Sequence, residues 1–298
     1  MKKYLIIINS LYDQYGPQEL GDNITFKRML KSSTQNKIYR AIRKMHLQSP
    51  LPFKSIWYGE WKYDIEKYDT VITADTGNTF AVIKDLKKHY PQLRIINWYR
   101  NPVSKAAPII KDANDYCEVW SFDEKDCIKY GLQYNPQFCT KCSIQPNNNN
   151  MARTDAFFIG GNKGRLEQLL NLETKLQQKG QVTDFKIVGY NSERLTYREV
   201  VEGIINTRII VDIQSAGQDG LTLRPIEALL YEKKLITNNV NIRTYDFYNS
   251  NNIFILNEDS EEKFNQFLET PYQKIATSIT EEYQIPGWIK KFEGEIES

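Results

Sequence analysis

The chain has 298 residues, of which 41% are hydrophobic and 26% are charged, and its 39 basic and 37 acidic residues leave a net charge of +2. This length and composition predict a globular protein with room for two domains, and they exclude a disordered chain or a strongly polyanion-seeking one. The first apolar run, LIII, is too short to cross a bilayer, and Asn9, Asp13 and Gln14 end it too early for a secretory signal, so we expect a cytoplasmic protein.

Four cysteines are compatible with a reducing compartment. Cys139 and Cys142 form a CxxC pair, which is a pattern found in zinc and redox sites. The other two, Cys117 and Cys127, have the wrong spacing for a second half-site, and both histidines lie far away in the sequence. We therefore expect ordinary thiols and no metal site.

The first predicted element is an apolar strand, Tyr4 to Ile8, and it leads into a polar loop, Asn9 to Asp22, that contains glycine and proline breakers. From Asn23 to Leu47 apolar residues recur every three or four positions. This spacing predicts a helix over 23–47.

The predicted helix 23–47 is strongly cationic, because no Asp or Glu occurs between Asn23 and Gly59. An anionic membrane surface attracts such a segment by about 1 kcal/mol per basic residue. The alternative is a solvated helix whose basic face interacts with acidic residues elsewhere in the chain. Nucleic acid is a poorer match, since neither an aromatic platform nor a groove-reading motif accompanies the charge. The basic residues are Lys27, Arg28, Lys31, Lys37, Arg40, Arg43 and Lys44.

Three further apolar segments, 69–73, 93–98 and 117–122, predict strands that alternate with helices. Polar residues follow each of them, so Asp75, Arg100 and Asp123 are expected at one rim of a sheet. A carboxylate at such a rim is suited to general base catalysis, and Asp75 is our candidate. Asp before Thr-Gly-Asn is equally a natural turn or helix cap, and both interpretations stay open.

A second α/β series begins with a predicted strand, Asp155 to Ile159, that ends in GGNKGR. Gly160 and Gly161 allow the backbone to approach a ligand closely, and Lys163 and Arg165 can neutralise a diphosphate. The run is not a P-loop, because GK[ST] does not end it. We favour a phosphate-binding role over a plain turn.

Two elements precede the central motif of this series. Phe185 to Val188 predicts a strand that ends at Gly189 and Tyr190. Thr196 and Glu199 have the spacing of a capping box, which predicts the start of the next helix.

The central motif, Gln218 to Asn239, has the sequence QDGLTLRPIEALLYEKKLITNN and follows an apolar strand, Arg208 to Gln214. Pro225 is predicted to begin the helix. The strand, loop, helix and following strand predict a βαβ unit whose loop lies at the carboxyl end of the first strand. Asp219 in the loop and Glu227 in the first predicted turn are separated by seven residues, so both can face one cleft beside free helix N–H groups. This pattern predicts a sugar-nucleotide site, although a Glu in a first turn is also favoured by the helix dipole alone.

These residues carry a resemblance to a known family. The acidic residue, the seven-residue gap and the Glu, with a helix and a buried strand after them, are similar to the donor-site signature of GT-B glycosyltransferases. The run GQDGLTLRPIEAL, followed by KKLITNN and YDFYNSNNIFIL, resembles bacterial enzymes of capsular polysaccharide and lipopolysaccharide biosynthesis. The resemblance extends over about Asp155 to Leu256. It implies that Glu227 holds the nucleotide ribose and that Asp219, where Glu is commoner, reaches the donor sugar or its phosphate.

The resemblance also implies roles for other residues. Lys163, Arg165 and Arg224 would stabilise the diphosphate in place of a metal, and the DxD metal motif of the other major glycosyltransferase fold is absent from the sequence. The first loop, with Asp13, would lie on the acceptor side together with Arg100 and Asp123. The catalytic candidates are Asp75, which would take the acceptor proton if the reaction inverts, and Asp219. The full donor-binding set is Gly160, Gly161, Lys163, Arg165, Gly189, Tyr190, Gln218, Gly220, Leu221, Thr222, Arg224 and Glu227.

The expected fold is α/β and GT-B-like, with two Rossmann-like doubly wound domains that face each other across a cleft. Residues 1–146 would form the acceptor-side domain and residues 152–284 the nucleotide-sugar donor domain. Ser143 to Arg153, which contains four consecutive asparagines, predicts the linker. A last helix at about 285–298 would pack back on the first domain.

The expected function is a metal-independent transferase of the hexosyltransferase type that needs no cofactor. It would move a sugar from a nucleotide-diphosphate donor to a lipid-linked cell-surface polysaccharide, as a cytoplasmic protein peripheral to the inner face of the membrane. Two alternatives stay open: a sugar-nucleotide epimerase of the same architecture, and a non-catalytic nucleotide-sugar binding protein.

Overall fold

A computed structural model describes residues 1–9, 23–31, 36–106, 108–141, 154–214 and 220–294. The chain divides into two compact units, Met1–Asn135 (unit 1) and Pro136–Ser298 (unit 2). Within these described ranges each unit contains one sheet, and every strand pair in the two sheets is parallel. The prediction of an α/β fold with two Rossmann-like parallel sheets is confirmed. The predicted linker 143–153 lies outside the described residues.

Unit 1 has a sheet of six strands in the order β2-β1-β3-β4-β5-β6. Its strands β1, β3 and β4 are almost wholly buried, which explains why each reads as an apolar run rather than as an alternating pattern. The elements are β1 Tyr4–Ile6, β2 Ile24–Phe26, α1 Lys37–Gln48, β3 Thr70–Ala74, α2 Thr79–His89, β4 Arg94–Tyr99, β5 Glu118–Ser121, α3 Glu124–Tyr130 and β6 Gln133–Tyr134.

The predicted helix 23–47 is wrong in its first part. Ile24–Phe26 is a strand paired with β1, and α1 begins only at Lys37. Met29 and Leu30 are buried, but they reach the core from an irregular segment after the strand and not from a helix face. A β-branched pair, Ile and Thr, favours the strand, and tertiary pairing overrides the helical spacing of the apolar residues.

Unit 2 has a sheet of five strands in the order β11-β10-β9-β7-β8. The predicted strands Asp155 to Ile159, Phe185 to Val188 and Arg208 to Gln214 are confirmed to within two residues at their ends, and the capping box of Thr196 and Glu199 is present at the start of the helix Tyr197–Ile205. The elements are β7 Ala156–Gly161, α4 Leu166–Gln178, β8 Thr183–Val188, α5 Tyr197–Ile205, β9 Ile209–Asp212, α6 Leu223–Leu230, β10 Lys234–Thr237, β11 Ile253–Ile255, α7 Glu261–Glu269, α8 Thr277–Glu282 and α9 Ile285–Phe292.

The last helix, α9, packs against the segment that opens unit 2. Trp288 donates from Nε1 to the carbonyl oxygen of Pro136 over 2.9 Å, and its ring centroid lies 4.3 Å from that of Phe138. Within the described ranges no helix combines the length and the apolar character that a membrane span requires.

Both sheets change direction at a defined place. In unit 1 the chain moves from β1 outward to β2 and then returns to the other side of β1 as β3. In unit 2 it does the same with β7, β8 and β9. Such a topological switch point leaves a crevice at the carboxyl ends of the two inner strands, where doubly wound folds bind ligands. The crevices of this chain therefore lie at the ends of β1 and β3 and at the ends of β7 and β9.

Candidate functional site

Four charged side chains meet at the carboxyl ends of β7 and β9, which is the switch point of unit 2. Arg165 follows β7, Asp212 ends β9, and Arg224 and Glu227 lie on α6. We call these four residues the charged cluster. Asp212 and Glu227 are 5% and 0% exposed, so the carboxylates are buried and need the neighbouring guanidinium groups.

Arg165 is positioned by the backbone of both inner strands. Its Nε donates to the carbonyl oxygen of Gly161 over 3.1 Å, and its Nη1 donates to that of Ile213. The guanidinium also lies over the ring of Phe158, 5.1 Å from the centroid. Because an arginine has five N–H donors, these two bonds leave about three for an anion. Arg165 is thus fixed in position and keeps N–H donors for an anion, which is compatible with its predicted role in phosphate binding.

Gly160 makes this position of Arg165 accessible. A Cβ atom on Gly160 would lie 2.7 Å from Nη2 of Arg165, which is closer than such contacts normally come. On the neighbouring Gly161 a Cβ would meet nothing nearer than 3.6 Å, and its contact is with Lys163. Of the two glycines, therefore, only Gly160 is needed to leave space for the Arg165 side chain.

Asp212 is a site residue that the sequence analysis missed. Its Oδ2 accepts a hydrogen bond of 2.9 Å from the Thr222 hydroxyl, which ties the end of β9 to the N-cap of α6. Burial raises the pKa of Asp212, while Thr222, Arg224 and Arg165 oppose the shift. The signal for it in the sequence is an acidic residue at the end of an otherwise apolar strand.

Glu227 is more deeply placed than the sequence suggested. Helix α6 begins at Leu223, so Glu227 is its fifth residue and lies in the second turn. The prediction of a first-turn position is wrong. The helix dipole therefore does not explain why a Glu occupies this position, because its effect fades within the first turn. The helix starts earlier because Thr222 takes the N-cap position and Pro225 is tolerated within the first turn.

One oxygen of Glu227 is satisfied and the other is not. Oε2 accepts from Nη1 of Arg224, which is the ion partner one turn away. Oε1 is fully buried and has no hydrogen-bond partner among the described residues. Burial acts to lower the pKa of Arg224, but the Glu227 carboxylate outweighs it and the net shift is upward. One acceptor atom of this pair, Oε1, is therefore left for a ligand.

The remaining predicted donor residues lie after β7, after β8 and before α6. Lys163 is exposed and has a left-handed backbone, with φ of 45°, in the loop after β7. Gly189 at the end of β8 also has a positive φ of 84°, and Tyr190 beside it is 57% exposed. Gly220, Leu221 and Thr222 lead into α6, and the first two are buried. Gln218 and Asp219 lie outside the described residues.

In unit 1, Asp75 lies at the switch point, directly after β3. Its Oδ2 accepts from Nδ2 of Asn101 over 3.0 Å, whereas the N-cap of α2 is Asn78. Asp75 is 8% exposed, and burial raises its pKa against the opposing Asn101 hydrogen bond and Arg100 charge. The carboxylate is thus held beside a crevice and does not cap the helix.

The other acceptor-side candidates differ in what the structure shows. Arg100 and Asp123 follow β4 and β5, so with Asp75 they end three adjacent strands at one edge of the sheet. Asp123 is the N-cap of α3, and its Oδ1 accepts from the backbone N–H groups of Lys125 and Asp126 at 3.0 and 3.2 Å. This gives Asp123 a structural task. Asp13 lies outside the described residues.

The described residues contain no group of three or more His, Cys, Asp or Glu side chains arranged to hold a metal ion. Cys142 of the CxxC pair lies outside the described part of the chain, and Cys139 is a buried thiol. What the charged cluster can bind, by its own chemistry, is an anion with hydroxyl groups: guanidinium donors for phosphate and a carboxylate oxygen for a hydroxyl.

Comparison with known proteins gives structural likeness alone. No family model matches the sequence, and no curated protein sequence matches it. The chain is similar to the apo form of the lipopolysaccharide outer core galactosyltransferase WaaB, with 12% identity, a TM-score of 0.46 and coverage of 99% of this chain and 98% of that one. It is also similar to the UDP-GlcNAc 2-epimerase from Methanocaldococcus jannaschii, with 10% identity, a TM-score of 0.49 and coverage of 99% of both chains.

A third similar structure is the glycotransferase of kitacinnamycin, with 8% identity, a TM-score of 0.40 and coverage of 99% of this chain and 96% of that one. At these identities, and with all three TM-scores below 0.5, the likenesses do not establish a family for this chain.

Proposed function

We propose that this chain is a glycosyltransferase of the hexosyltransferase type that takes its sugar from a nucleotide-diphosphate donor. The observation that carries the proposal is Oε1 of Glu227, which is fully buried at the switch point of a doubly wound sheet and has no hydrogen-bond partner among the residues that the structure describes. A buried acceptor without a hydrogen bond costs about 1–3 kcal/mol, and more if it is charged, so its retention favours a ligand that satisfies it. A ribose hydroxyl is a donor of the right kind.

The rest of the charged cluster supports the nucleotide assignment. Arg165 has spare N–H donors at the end of β7, and Arg224 holds the second oxygen of Glu227. A donor placed with its ribose on Glu227 brings its diphosphate toward these guanidinium groups, and arginine recognises phosphate with paired, charge-assisted hydrogen bonds. Lys163, exposed in the same loop, adds a third positive charge.

In the proposed reaction an acceptor hydroxyl oxygen forms a bond to the anomeric carbon, and the bond from that carbon to the diphosphate oxygen breaks. The electron pair leaves with the nucleoside diphosphate, whose growing charge Lys163, Arg165 and Arg224 stabilise. The hydroxyl proton passes to a base, for which Asp75 is our candidate in an inverting reaction. Asp219 would contact the donor sugar or its phosphate. The proposed mechanism needs neither a metal ion nor a cofactor.

For the acceptor we propose a lipid-linked intermediate of a cell-surface polysaccharide, such as a capsular polysaccharide or lipopolysaccharide. The support is the cationic stretch between Asn23 and Gly59, which contains no acidic residue and would bring the enzyme to an anionic membrane. This acceptor implies a cytoplasmic enzyme that works at the inner face of the membrane.

The first test is isothermal titration of the protein with nucleoside diphosphates and their sugars, compared with the variants Glu227→Gln and Glu202→Gln. We expect one nucleotide class to bind, and Glu227→Gln to weaken it roughly 10- to 150-fold, the equivalent of one hydrogen bond to a charged group. Glu202, which pairs with Arg198 on α5, is the matched control and should leave affinity unchanged. Equal affinity in both variants would contradict the ribose assignment.

A second measurement separates the classes of activity. The protein is incubated with the donor that binds, with and without a lipid-linked or oligosaccharide acceptor, and the sugar products are identified by mass spectrometry and NMR. Transfer that requires acceptor supports the proposal. Conversion of the donor into an isomer without acceptor would instead indicate an epimerase, and binding without either product would indicate a nucleotide-sugar binding protein.

A further inference from the structure

Helix α1 carries an apolar stripe on its solvent side. Ile38, Ile42 and Met45 are 70%, 54% and 71% exposed. They occupy positions i, i+4 and i+7, so they lie within about 60° of one another around the helix axis. An amphipathic helix normally turns such a stripe toward the core, and here the opposite holds.

The other face of α1 attaches the helix to unit 1. Leu47 is fully buried and Arg43 is 8% exposed, with its Nη1 donating to the carbonyl oxygen of Lys31 over 3.3 Å. These two residues lie roughly opposite the stripe, at 100° per residue. The helix is therefore fixed by one face while the apolar stripe stays in solvent, where each large apolar side chain is unfavourable.

The segment after α1 extends the apolar surface. Leu51, Phe53 and Ile56 are 58%, 77% and 47% exposed. His46 joins this segment to the helix, because its Nε2 donates to the carbonyl oxygen of Pro52 over 2.9 Å and its Nδ1 accepts from the Trp57 indole over 2.8 Å. Since an indole nitrogen only donates, this pair of bonds defines the ring tautomer. The exposed apolar residues are thus held in place.

Phe53 adds a second sign that the segment is built for contact. Its backbone is left-handed, with φ of 64°, which is a costly conformation for a bulky residue. Beside it lies a cavity of about 540 Å³ with aromatic walls that include Tyr58, Trp61 and Tyr63. Tyr63 is 80% exposed, so the aromatic surface continues to the mouth of this cavity.

The charged residues of α1 itself are all basic. Lys37, Arg40 and Lys44 are exposed, and none of them forms an ion pair within the described residues. The sequence from Asn23 to Gly59 contains no acidic residue at all. Exposed apolar residues beside unpaired basic ones are the surface chemistry of helices that lie in the interface of anionic membranes.

We propose that α1 and residues 51–56 form a membrane-docking face that inserts its apolar side chains into a bilayer containing anionic lipid. A second copy of the same face is a poorer occupant, because it would bring like charges together. Anionic head groups next to acyl chains complement both features at once. Docking would bring the enzyme to its proposed lipid-linked acceptor, and this purpose rests on the proposed function. The docking itself requires neither a bound donor nor turnover.

Vesicle co-sedimentation without nucleotide tests the docking face. The wild type should bind vesicles with one-third phosphatidylglycerol far better than pure phosphatidylcholine, and less well at high salt. Ile42→Ser combined with Met45→Ser should lower the partition coefficient at least tenfold, by the loss of about two inserted side chains. Ile128→Ser is the matched control, because Ile128 is 86% exposed on α3 in the same unit. Equal binding by the double variant would overturn the proposal.

A second pair of changes separates charge from apolar insertion. Lys37→Gln combined with Lys44→Gln should reduce binding to the anionic vesicles by roughly 30-fold, at about fivefold per charge, and remove most of the salt dependence. Absence of vesicle binding by the wild type, with a dimer seen in analytical ultracentrifugation that Met45→Ser dissociates, would refute docking and assign the face to self-association. Nucleotide titration is run on the same samples, so loss of docking with intact donor binding is distinguishable from failure of the proposed function.

Discussion

The difference between Gly160 and Gly161 leads to a sharp test of the donor site. In Gly160→Ala the new methyl group would lie 2.7 Å from Nη2 of Arg165 and 3.1 Å from Cζ of Phe158. The Phe158 ring is 2% exposed and cannot move far, whereas Arg165 is a flexible side chain that can leave. We therefore expect the substitution to displace the guanidinium from its place between β7 and β9.

The size of the effect follows from the bonds that are lost. A displaced Arg165 gives up its charge-assisted contacts with a diphosphate, and hydrogen bonds to charged groups are worth about 1.5–3 kcal/mol each. Loss of one such bond raises the dissociation constant of the nucleotide about 10- to 150-fold. The free energy of unfolding should also fall, by about 1–3 kcal/mol, because the displaced guanidinium gives up its bonds to the Gly161 and Ile213 carbonyls and no longer offsets the buried Asp212.

Isothermal titration with the nucleoside diphosphate and denaturant unfolding measure both quantities on one sample. Gly161→Ala is the control: its methyl group would meet Lys163 at an ordinary 3.6 Å, so affinity should stay within about twofold. Arg165→Ala should lose as much affinity as Gly160→Ala, and the double variant should lose little more. Wild-type affinity in Gly160→Ala would refute the reasoning, and equal losses in both glycine variants would mean that the loop backbone, and not Arg165, is what matters.

Two further predictions concern stability. Gly203→Ala should lower the free energy of unfolding by about 1–3 kcal/mol, since a Cβ there would come within 2.5 Å of the buried Phe157 ring; Ala favours helix by about 1 kcal/mol, so a stabilised variant would contradict this packing. Asp75 should make stability pH-dependent: burial raises its pKa above the ordinary 3.8, so the folded state binds the proton more tightly. The free energy of unfolding of the wild type should therefore fall relative to that of Asp75→Asn as the pH rises above about 4, and denaturation curves from pH 4 to 7 that show a constant difference would exclude it.

Much of the fold was predictable because the strands of both sheets are buried and bounded by polar residues. The segments 70–74, 94–99, 156–161 and 234–237 read as short apolar runs followed by Gly, Asp, Asn or Arg, and a parallel sheet covered on both faces has this pattern. The alternation with helices then leaves little choice of architecture. Local sequence was sufficient here, because the apolar pattern that defines each element lies within the element's own residues.

The helix at 23–47 shows where such patterns fail. Spacing of three to four residues is the same whether an apolar stripe is buried or exposed, and it also arises when a strand and an irregular segment feed the core in succession. Ile24–Phe26 pairs with β1, a contact over about twenty residues of sequence, and Ile42 points to solvent. Neither fact is contained in the local pattern.

The charged cluster was predicted in part for a related reason. Arg165 follows a strand in a polar loop, and Arg224 and Glu227 belong to the motif after β9, so the sequence predicts all three; Asp212 ends an apolar strand and is not predicted. Its importance depends on the strand order, which places β9 next to β7 and so brings Asp212 toward Arg165. Strand order is a property of the assembled sheet and cannot be read from the alternation of elements.

The composition of the cluster explains how so much charge can be buried in unit 2. Two guanidinium groups lie beside two carboxylates, and the Thr222 hydroxyl and two backbone carbonyls are further hydrogen-bond partners of the cluster. Burial lowers the pKa of Arg165 and raises that of Asp212. Burial thus disfavours the charged form of each group, and the oppositely charged neighbours favour it. Such a cluster is rigid before any ligand arrives, because moving one member leaves another uncompensated. Oε1 of Glu227 has no hydrogen-bond partner within the described part of the chain. A ligand that donates a hydroxyl there meets guanidinium donors that are already positioned, and this preorganisation is what a binding site for a nucleotide-diphosphate sugar requires.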